Sequence, residues 1–373
     1  MRVTLLTNLV PPYREPVFAE LNRLLDHELR VVLVAGREAN RDWDFAPGRH
    51  PFAVRVLHGT SVRGRRPDRW IHLTEPLLPE LVRHRPQALL IGGFDQPAYF
   101  EALALSRLLR IPAALWCGAH AGIVHPGPAM RLRRLMVRGV SAYVSYGTAA
   151  AELLVELGAP GERIAVGQNA VDVSAFAPEP HRAAARSMRE ALGLGERLVV
   201  LVVGQLIGIK GIPAALDAVG RVPEAVLVHV GRGPDERALR ARAQAVAPGR
   251  AFFLGPKPYA ELPAIYAMAD VFLFPSFTDA WGLVLNEAMA AGLPVLASAR
   301  AGATRDLVRE GETGFVVDPA RPESIAEKLS LLAKSPELRR KLGAAGRALI
   351  ASVTPAAYAR AMFDALKLAR EGA

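Results

Sequence analysis

The sequence predicts an α/β protein of two domains, each built on a parallel β-sheet that helices cover. In the first half of the chain, short apolar segments alternate with helix-forming segments, which is typical of βα units. Pro178 and Pro180 indicate a linker, and the same alternation restarts after it. A chain of 373 residues, 51% of them hydrophobic, has enough apolar material for two cores.

Apolar and β-branched segments predict the strands of the first domain at residues 3–7, 29–34, 53–57, 88–91, 113–116, 142–145 and 164–166. Segments of good helix formers predict its helices at residues 15–25, 73–84, 97–110, 129–138 and 149–157. Polar residues interrupt the first ten positions, so we expect a first strand there rather than a signal peptide. No run approaches the length of a membrane-spanning helix.

The loops that follow these strands are the candidate ligand-binding segments, because parallel sheets bind ligands beyond the carboxyl ends of their strands. In the first domain they are residues 8–14, 92–96, 116–122 and 146–148. The first of these loops contains no glycine, and a G-x-G-x-x-G motif is missing there. The sequence therefore argues against a dinucleotide-dependent dehydrogenase.

The net charge of +10 is compatible with nucleic acid, anionic lipid or anionic substrates and does not choose among them. No nucleic-acid recognition motif accompanies the arginines, so we expect no nucleic-acid partner. Cys117 is the single cysteine, which excludes an internal disulfide framework and cysteine-based zinc sites. A reducing, cytoplasmic location fits that composition.

In the second half, residues 198–203 form a continuous apolar run, which predicts a strand covered on both faces. Residues 271–274 predict a strand, 276–282 a loop, 283–291 a helix and 294–297 the next strand. Gly292 and Pro294 close the helix.

The corner between that loop and helix carries the chemistry. The backbone N–H groups of Gly282, Leu283 and Val284 begin the helix, where unpaired donors and the helix dipole favour an anion. Asp279 lies in the loop and Glu287 one turn into the helix, so two carboxylates flank the anion site. A ligand with phosphate and several hydroxyls, such as a sugar nucleotide, suits this set. In the alternative interpretation, Glu287 caps the helix start and Asp279 is a solvated loop residue.

Residues 279–297 spell D-A-W-G-L-V-L-N-E-A-M-A-A-G-L-P-V-L-A, which closely resembles the E-x7-E motif of retaining family 4 glycosyltransferases. The resemblance implies the GT-B fold, with two Rossmann-like, doubly wound parallel-sheet domains and an active site in the interdomain cleft. Residues 1–175 would form the acceptor-side domain and 185–350 the donor-binding domain. The helix at 355–373 would pack back on the first domain.

The resemblance also implies transfer of a sugar from a nucleotide diphosphate sugar to an acceptor hydroxyl, with retention and without a metal or other cofactor. Glu287 would bond the ribose hydroxyls and Asp279 a hydroxyl of the donor sugar. The backbone alongside Asp279 comes from Ala280, Trp281, Gly282 and Leu283.

Residues 204–211, G-Q-L-I-G-I-K-G, resemble the family's G-R-L…K-G loop, which grips the donor diphosphate. Lys210 matches the lysine, but Gln205 stands where arginine is usual, and a neutral amide bonds phosphate less strongly than a cation. Arg232 is the candidate for the missing cation. Gly255 belongs to the segment that would line the nucleobase pocket.

In the first domain, the resemblance makes His120 a site candidate near the donor sugar, with His125 as a competitor. The alternative for His120 is a loop histidine bonded to backbone. Tyr13 and Arg14 could contact the acceptor, or they could be exposed residues of a rigid turn.

Residues 129–140 mix leucine and methionine with arginine, and residues 63–69 are a second basic cluster. A basic amphipathic helix can lie on an anionic membrane, which suits a lipid-linked or glycan acceptor at the inner membrane face. The alternative is an ordinary surface helix with solvated arginines.

Two further functions stay open at this point. Gln205 and Asp279 depart from the family pattern, which is compatible with a non-catalytic homologue that binds sugar nucleotides. A sugar-nucleotide epimerase of the same fold is the other alternative. The sequence leaves the donor base, the sugar, the acceptor, the linkage and the oligomeric state open.

Overall fold

The structure is a computed structural model that describes residues 1–36, 50–63, 70–124 and 127–372. Most of the second basic cluster, at 64–69, and His125 lie outside these ranges. The chain divides into two compact units. Unit 1 comprises residues 1–171 and 355–373, and unit 2 comprises residues 172–354.

The strands are β1 Val3–Thr7, β2 Leu29–Leu33, β3 Ala53–Val56, β4 Gly59–Arg63, β5 Trp70–Thr74, β6 Ala88–Ile91, β7 Ala113–Cys117, β8 Ala142–Tyr146, β9 Ile164–Gly167, β10 Leu198–Val203, β11 Ala225–Val230, β12 Ala251–Phe253, β13 Val271–Phe274, β14 Val295–Ser298 and β15 Gly314–Val317. The α-helices are α1 Glu15–Leu24, α2 Leu78–His84, α3 Pro97–Leu108, α4 Ala129–Gly139, α5 Gly147–Glu156, α6 Arg182–Ala191, α7 Ile212–Gly220, α8 Glu236–Val246, α9 Leu262–Ala267, α10 Leu283–Ala290, α11 Thr304–Leu307, α12 Pro322–Lys334, α13 Pro336–Ile350 and α14 Pro355–Glu371.

The described part of unit 1 contains a 7-stranded parallel sheet in the order β3-β2-β1-β6-β7-β8-β9. Every residue of β1, β6 and β7 is buried, because helices cover both faces of the sheet. The C-terminal helix α14 belongs to this unit and packs on α1, β8 and β9. On α14, the hydroxyl of Tyr358 accepts a hydrogen bond of 2.6 Å from Nε1 of Trp116 on β7.

The predicted helix at residues 73–84 is wrong in its first turn. Residues of β5 pair in antiparallel register with β4, and α2 begins only at Leu78. The segment W-I-H-L-T alternates between faces, with His72 buried and Leu73 half exposed, which is the periodicity of a strand. Pro79 in the first turn of α2 marks the true helix start.

Unit 2 contains a 6-stranded parallel sheet in the order β12-β11-β10-β13-β14-β15 within its described residues. The chain builds outward from β10 in one direction and then from β13 in the other, so the strand order reverses between these two neighbours. A parallel sheet leaves a crevice for ligands at such a switch point. The loops after β10 and β13 therefore meet at the carboxyl edge of the sheet.

Candidate donor site

Lys210 and Asp279, from the loops after β10 and β13, form an ion pair at this edge. Nζ of Lys210 lies 2.5 Å from Oδ2 of Asp279, and each side chain is about one-fifth exposed. Lys210 ends a short 3-10 turn, and Gly211 follows with a φ of 67°. A Cβ on Gly211 would collide with the carbonyl oxygen of Pro275, so glycine permits the close approach of the two loops.

Backbone hydrogen bonds hold Asp279 in place from the other side. Its carbonyl oxygen accepts from the N–H of Gly302 at 3.1 Å, and the carbonyl of Trp281 accepts from Ala303 at 3.1 Å. Oδ1 of Asp279 accepts from the N–H of Trp281 at 3.3 Å. The segment after β14 thus fixes the loop that carries the carboxylate.

Helix α10 starts beside this carboxylate at Gly282, whose φ is 96°. A Cβ on Gly282 would collide with the ring of Phe274, so the left-handed glycine lets the helix begin directly over β13. The helix has no side-chain cap. Its first N–H groups, at Leu283 and Val284, are therefore the donors of an uncapped helix start. Buried Trp281 donates its Nε1–H to Asn286 Oδ1 at 2.9 Å and anchors the turn.

Glu287 is not a helix cap, so that interpretation of it is wrong. Its side chain turns inward, where Tyr266 donates a hydroxyl hydrogen bond of 2.7 Å to Oε2. Tyr259 also hydrogen-bonds to this carboxyl. Burial raises the pKa of Glu287 to about 7, while the two tyrosine hydrogen bonds oppose that rise.

Sequence reasoning did not single out Tyr266, which orients Glu287. It lies on α9 and packs edge-to-face on Phe176, with ring centroids 5.4 Å apart. Burial, followed by the adjacent Glu287 carboxyl, holds the pKa of the Tyr266 hydroxyl well above its usual value. The hydroxyl therefore stays a neutral donor, and no local pattern in the sequence signals its role.

The predicted residues Gln205, Arg232 and Gly255 come from three loops that are tied together at the same edge of unit 2. The N–H of Leu206, next to the exposed Gln205, donates to the carbonyl of Arg232 at 3.0 Å. The N–H of Gly231 donates to the carbonyl of Gly255 at 2.9 Å. The loops of Gln205 and Arg232 are therefore neighbours.

His120 lies in unit 1, in the turn that follows β7. It is buried, and its Nδ1 accepts a hydrogen bond of 3.1 Å from the N–H of Gly122. The neutral ring then carries its proton on Nε2. The backbone hydrogen bond of the alternative interpretation is thus present, and a place for His120 near the donor sugar stays a prediction.

Arg14 is buried in unit 1, so the alternative of a rigid turn with an exposed arginine is wrong for this residue. It donates to Asn169 Oδ1 at 2.8 Å and to the Tyr146 hydroxyl at 2.5 Å. Its guanidinium also lies 4.7 Å from the ring centroid of Trp116. Arg14 is therefore held by side chains of unit 1, and Tyr13 is the more accessible member of the pair.

Helix α4 buries one face and exposes leucines and arginines on the other. Leu132 and Leu135 are about half exposed, whereas Met136 and Val137 are buried in unit 1. The arginines at 131, 134 and 138 are exposed. No helix in the described part of the chain has both the length and the hydropathy that a membrane-spanning helix requires. The described ranges also hold no group of three His, Cys, Asp or Glu side chains arranged for a metal ion.

Comparison with known proteins identifies the family. Residues 185–349 match the family "Glycosyl transferases group 1". The GDP-mannose-dependent alpha-(1-6)-phosphatidylinositol monomannoside mannosyltransferase of Mycolicibacterium smegmatis is 33% identical over 92% of each chain. The protein belongs to the glycosyl transferases group 1 family.

Other relatives match over shorter stretches. The sulfoquinovosyl transferase SQD2 of Arabidopsis thaliana is 28% identical over 74% of this chain and 55% of its own length. The D-inositol 3-phosphate glycosyltransferase of Corynebacterium glutamicum is 37% identical over 52% of this chain and 48% of its own length. The chain thus spans about half the length of these two relatives.

Solved structures confirm the GT-B fold predicted from the sequence. Anabaena Alr3699/HepE in complex with UDP superposes with a TM-score of 0.81 at 20% identity, over 98% of this chain and all of that one (100%). WaaG, a glycosyltransferase involved in lipopolysaccharide biosynthesis, gives a TM-score of 0.69 at 16% identity, over 98% and 99% of the two chains.

Proposed function

We propose that the protein is a retaining glycosyltransferase that moves a sugar from a nucleotide diphosphate sugar to an acceptor hydroxyl. The observation that carries this proposal is the meeting of Lys210, Asp279 and the uncapped start of α10 at the switch point of unit 2. Related structures that contain UDP or UDP-glucose, and a relative named for GDP-mannose, support this class of donor.

Each residue of the site has its own role in the reaction. Breaking the glycosyl–phosphate bond develops negative charge on the departing diphosphate, which the Lys210 ammonium and the α10 N–H groups stabilise. The Glu287 carboxyl bonds the ribose hydroxyls, and Asp279 bonds a hydroxyl of the sugar. The departing phosphate accepts the proton of the acceptor hydroxyl, so no protein base is assigned. His120 bonds the donor sugar.

Two sources of positive charge compensate for the neutral side chain of Gln205. The positive end of α10 and the guanidinium of Arg232, whose loop is bonded to that of Gln205, supply the charge that arginine gives in relatives. No metal or other cofactor takes part, so EDTA should leave transfer unchanged.

The acceptor is a glycan or a lipid-linked molecule at the cytoplasmic face of a membrane. Helix α4 supports this part of the proposal, because Leu132 and Leu135 stand exposed beside exposed arginines. Sedimentation with vesicles of phosphatidylglycerol should retain the protein, and vesicles of phosphatidylcholine should not. The double variant Leu132→Ser, Leu135→Ser should lose that binding. Equal binding to both vesicle types would reject the preference for an anionic surface, and binding to neither would reject membrane contact.

An assay of wild type with UDP-glucose, GDP-mannose and related donors tests the reaction. Phosphatidylinositol and its mannoside serve as acceptors, with and without EDTA. NMR should show that the transferred sugar in the product has the same anomeric configuration as it had in the donor. An inverted product would reject retention, and loss of transfer in EDTA would reject metal independence.

A non-catalytic homologue that binds sugar nucleotides is the second candidate, and the neutral, exposed Gln205 favours it. Diphosphate binding without turnover of any donor would support that candidate. An epimerase would change the sugar nucleotide without an acceptor, which product analysis of the same reactions detects.

A further inference from the structure

The lysine that would hold the donor diphosphate already has an anionic partner in the protein. Oδ2 of Asp279 lies 2.5 Å from Nζ of Lys210, so the ammonium donates a charge-assisted hydrogen bond to the carboxylate. Both side chains are largely buried, at 22% and 18% exposure. The carboxylate therefore takes one of the three N–H donors of Lys210 and neutralises its charge before any diphosphate binds.

Backbone contacts hold the loops of Lys210 and Asp279 in place. The Lys210 turn is fixed by Gly211 against Pro275 and by a hydrogen bond of 2.8 Å from Phe277 N–H to the carbonyl of Ile209. The backbone of Asp279 is bonded to Gly302. An incoming diphosphate must therefore share Lys210 with Asp279 or displace it by a change of side-chain rotamer.

The cost of that exchange differs between the donor and its leaving group. A nucleoside diphosphate places negative charge beside the Asp279 carboxylate and competes with it for the Lys210 ammonium. The two negative charges then repel each other. An intact donor brings sugar hydroxyls, which can donate hydrogen bonds to the carboxylate. Only the intact donor thus offers Asp279 new hydrogen-bond donors in exchange for Lys210.

We propose that Asp279 is a specificity-determining residue, which favours the intact nucleotide sugar over the nucleoside diphosphate by competing for Lys210. The inference rests on the proposed function, because it needs a diphosphate at Lys210. Besides bonding the donor sugar, the Asp279 carboxylate would weaken the binding of the nucleoside diphosphate product and so promote its release.

Calorimetric titration with UDP, GDP, ADP and TDP tests this inference on the full chain. Asp279→Asn keeps the shape of the side chain and removes its charge. Its affinity for the diphosphate that wild type binds should rise about fivefold, the effect of losing one partly exposed ion pair. Its turnover of the matching nucleotide sugar should fall, and product inhibition should become stronger.

Two further variants separate charge from structure. Asp279→Glu keeps the charge and should bind the diphosphate as weakly as wild type does. Asp217→Asn removes a carboxylate from the pair with Arg242 elsewhere in unit 2 and should leave diphosphate affinity unchanged. If Asp279→Asn does not fold, Asp279→Ala removes the same charge and should show the same gain.

The outcomes distinguish the inference from the proposed function. Unchanged or weaker diphosphate binding in Asp279→Asn, with binding in wild type, would overturn the competition and leave the donor site in place. Binding of none of the four diphosphates to wild type or to the Asp279 variants would overturn both.

Discussion

The hydroxyl of Tyr266 lies 2.7 Å from Oε2 of Glu287, in the interior of unit 2. Glu287 is thus oriented by neutral hydroxyl donors, from Tyr266 and Tyr259, rather than by a cation. A buried carboxylate with neutral partners is costly to ionise, which is why its pKa is raised to about 7. The residue expected to bond the ribose therefore changes charge near neutral pH.

The first prediction concerns the pH dependence of stability. Between pH 4.5 and 7 the folded protein holds a proton on Glu287 that the unfolded chain has released, so the free energy of unfolding falls as pH rises. The loss attributable to Glu287 is complete above pH 7 and amounts to about 3 kcal/mol. Urea unfolding at pH 5 and pH 8.5 should show that Glu287→Gln loses less stability than wild type. Equal losses in the two proteins would contradict the raised pKa.

The second prediction concerns the orientation of Glu287. Tyr266→Phe removes one donor to a buried carboxyl and should destabilise the protein by about 1–3 kcal/mol. It should also weaken diphosphate binding, because Glu287 loses its fixed rotamer. Tyr143→Phe is the matched control, since the Tyr143 hydroxyl donates to the carbonyl of Val137 at 2.6 Å inside unit 1. Calorimetry that finds the same diphosphate affinity in both variants would count against an orienting role for Tyr266.

The third prediction uses Cys117 as a probe of unit 1. The thiol is buried at the end of β7, and burial raises its pKa to about 12. The reactive thiolate is therefore scarce at pH 8 in the folded protein. A colorimetric thiol reagent should modify the native protein slowly and should modify one thiol per chain rapidly in denaturant. Rapid modification without denaturant would show that the β7 region opens readily.

The sequence predicted those features that depend on neighbours along the chain. Apolar runs such as 198–203 and 271–274 became strands with the predicted bounds, because buried parallel strands need continuous apolar side chains. The turn at Gly282 could also be predicted from local sequence, because a glycine between a loop and a run of helix-forming residues favours such a turn.

The features that the sequence could not predict depend on distant partners. Tyr266 and Glu287 are 21 positions apart and meet only because α9 and α10 pack in one unit. Arg14 lies in a polar, proline-rich turn, yet aromatic side chains from β7 and β8 bury it. Residues 73–77 were predicted as the start of a helix, but pairing of Leu73 and Thr74 with β4 makes them the end of a strand instead.

The central claim is that Lys210 and the start of α10 hold the diphosphate of a nucleotide sugar. A thermal-shift panel of UDP, GDP, ADP and TDP without metal tests it on wild type, Lys210→Ala and the exposed-site control Lys334→Ala. One diphosphate should raise the Tm of wild type and of Lys334→Ala, and it should raise that of Lys210→Ala less or not at all. No shift in wild type with any of the four, or an equal shift in Lys210→Ala, would contradict the claim.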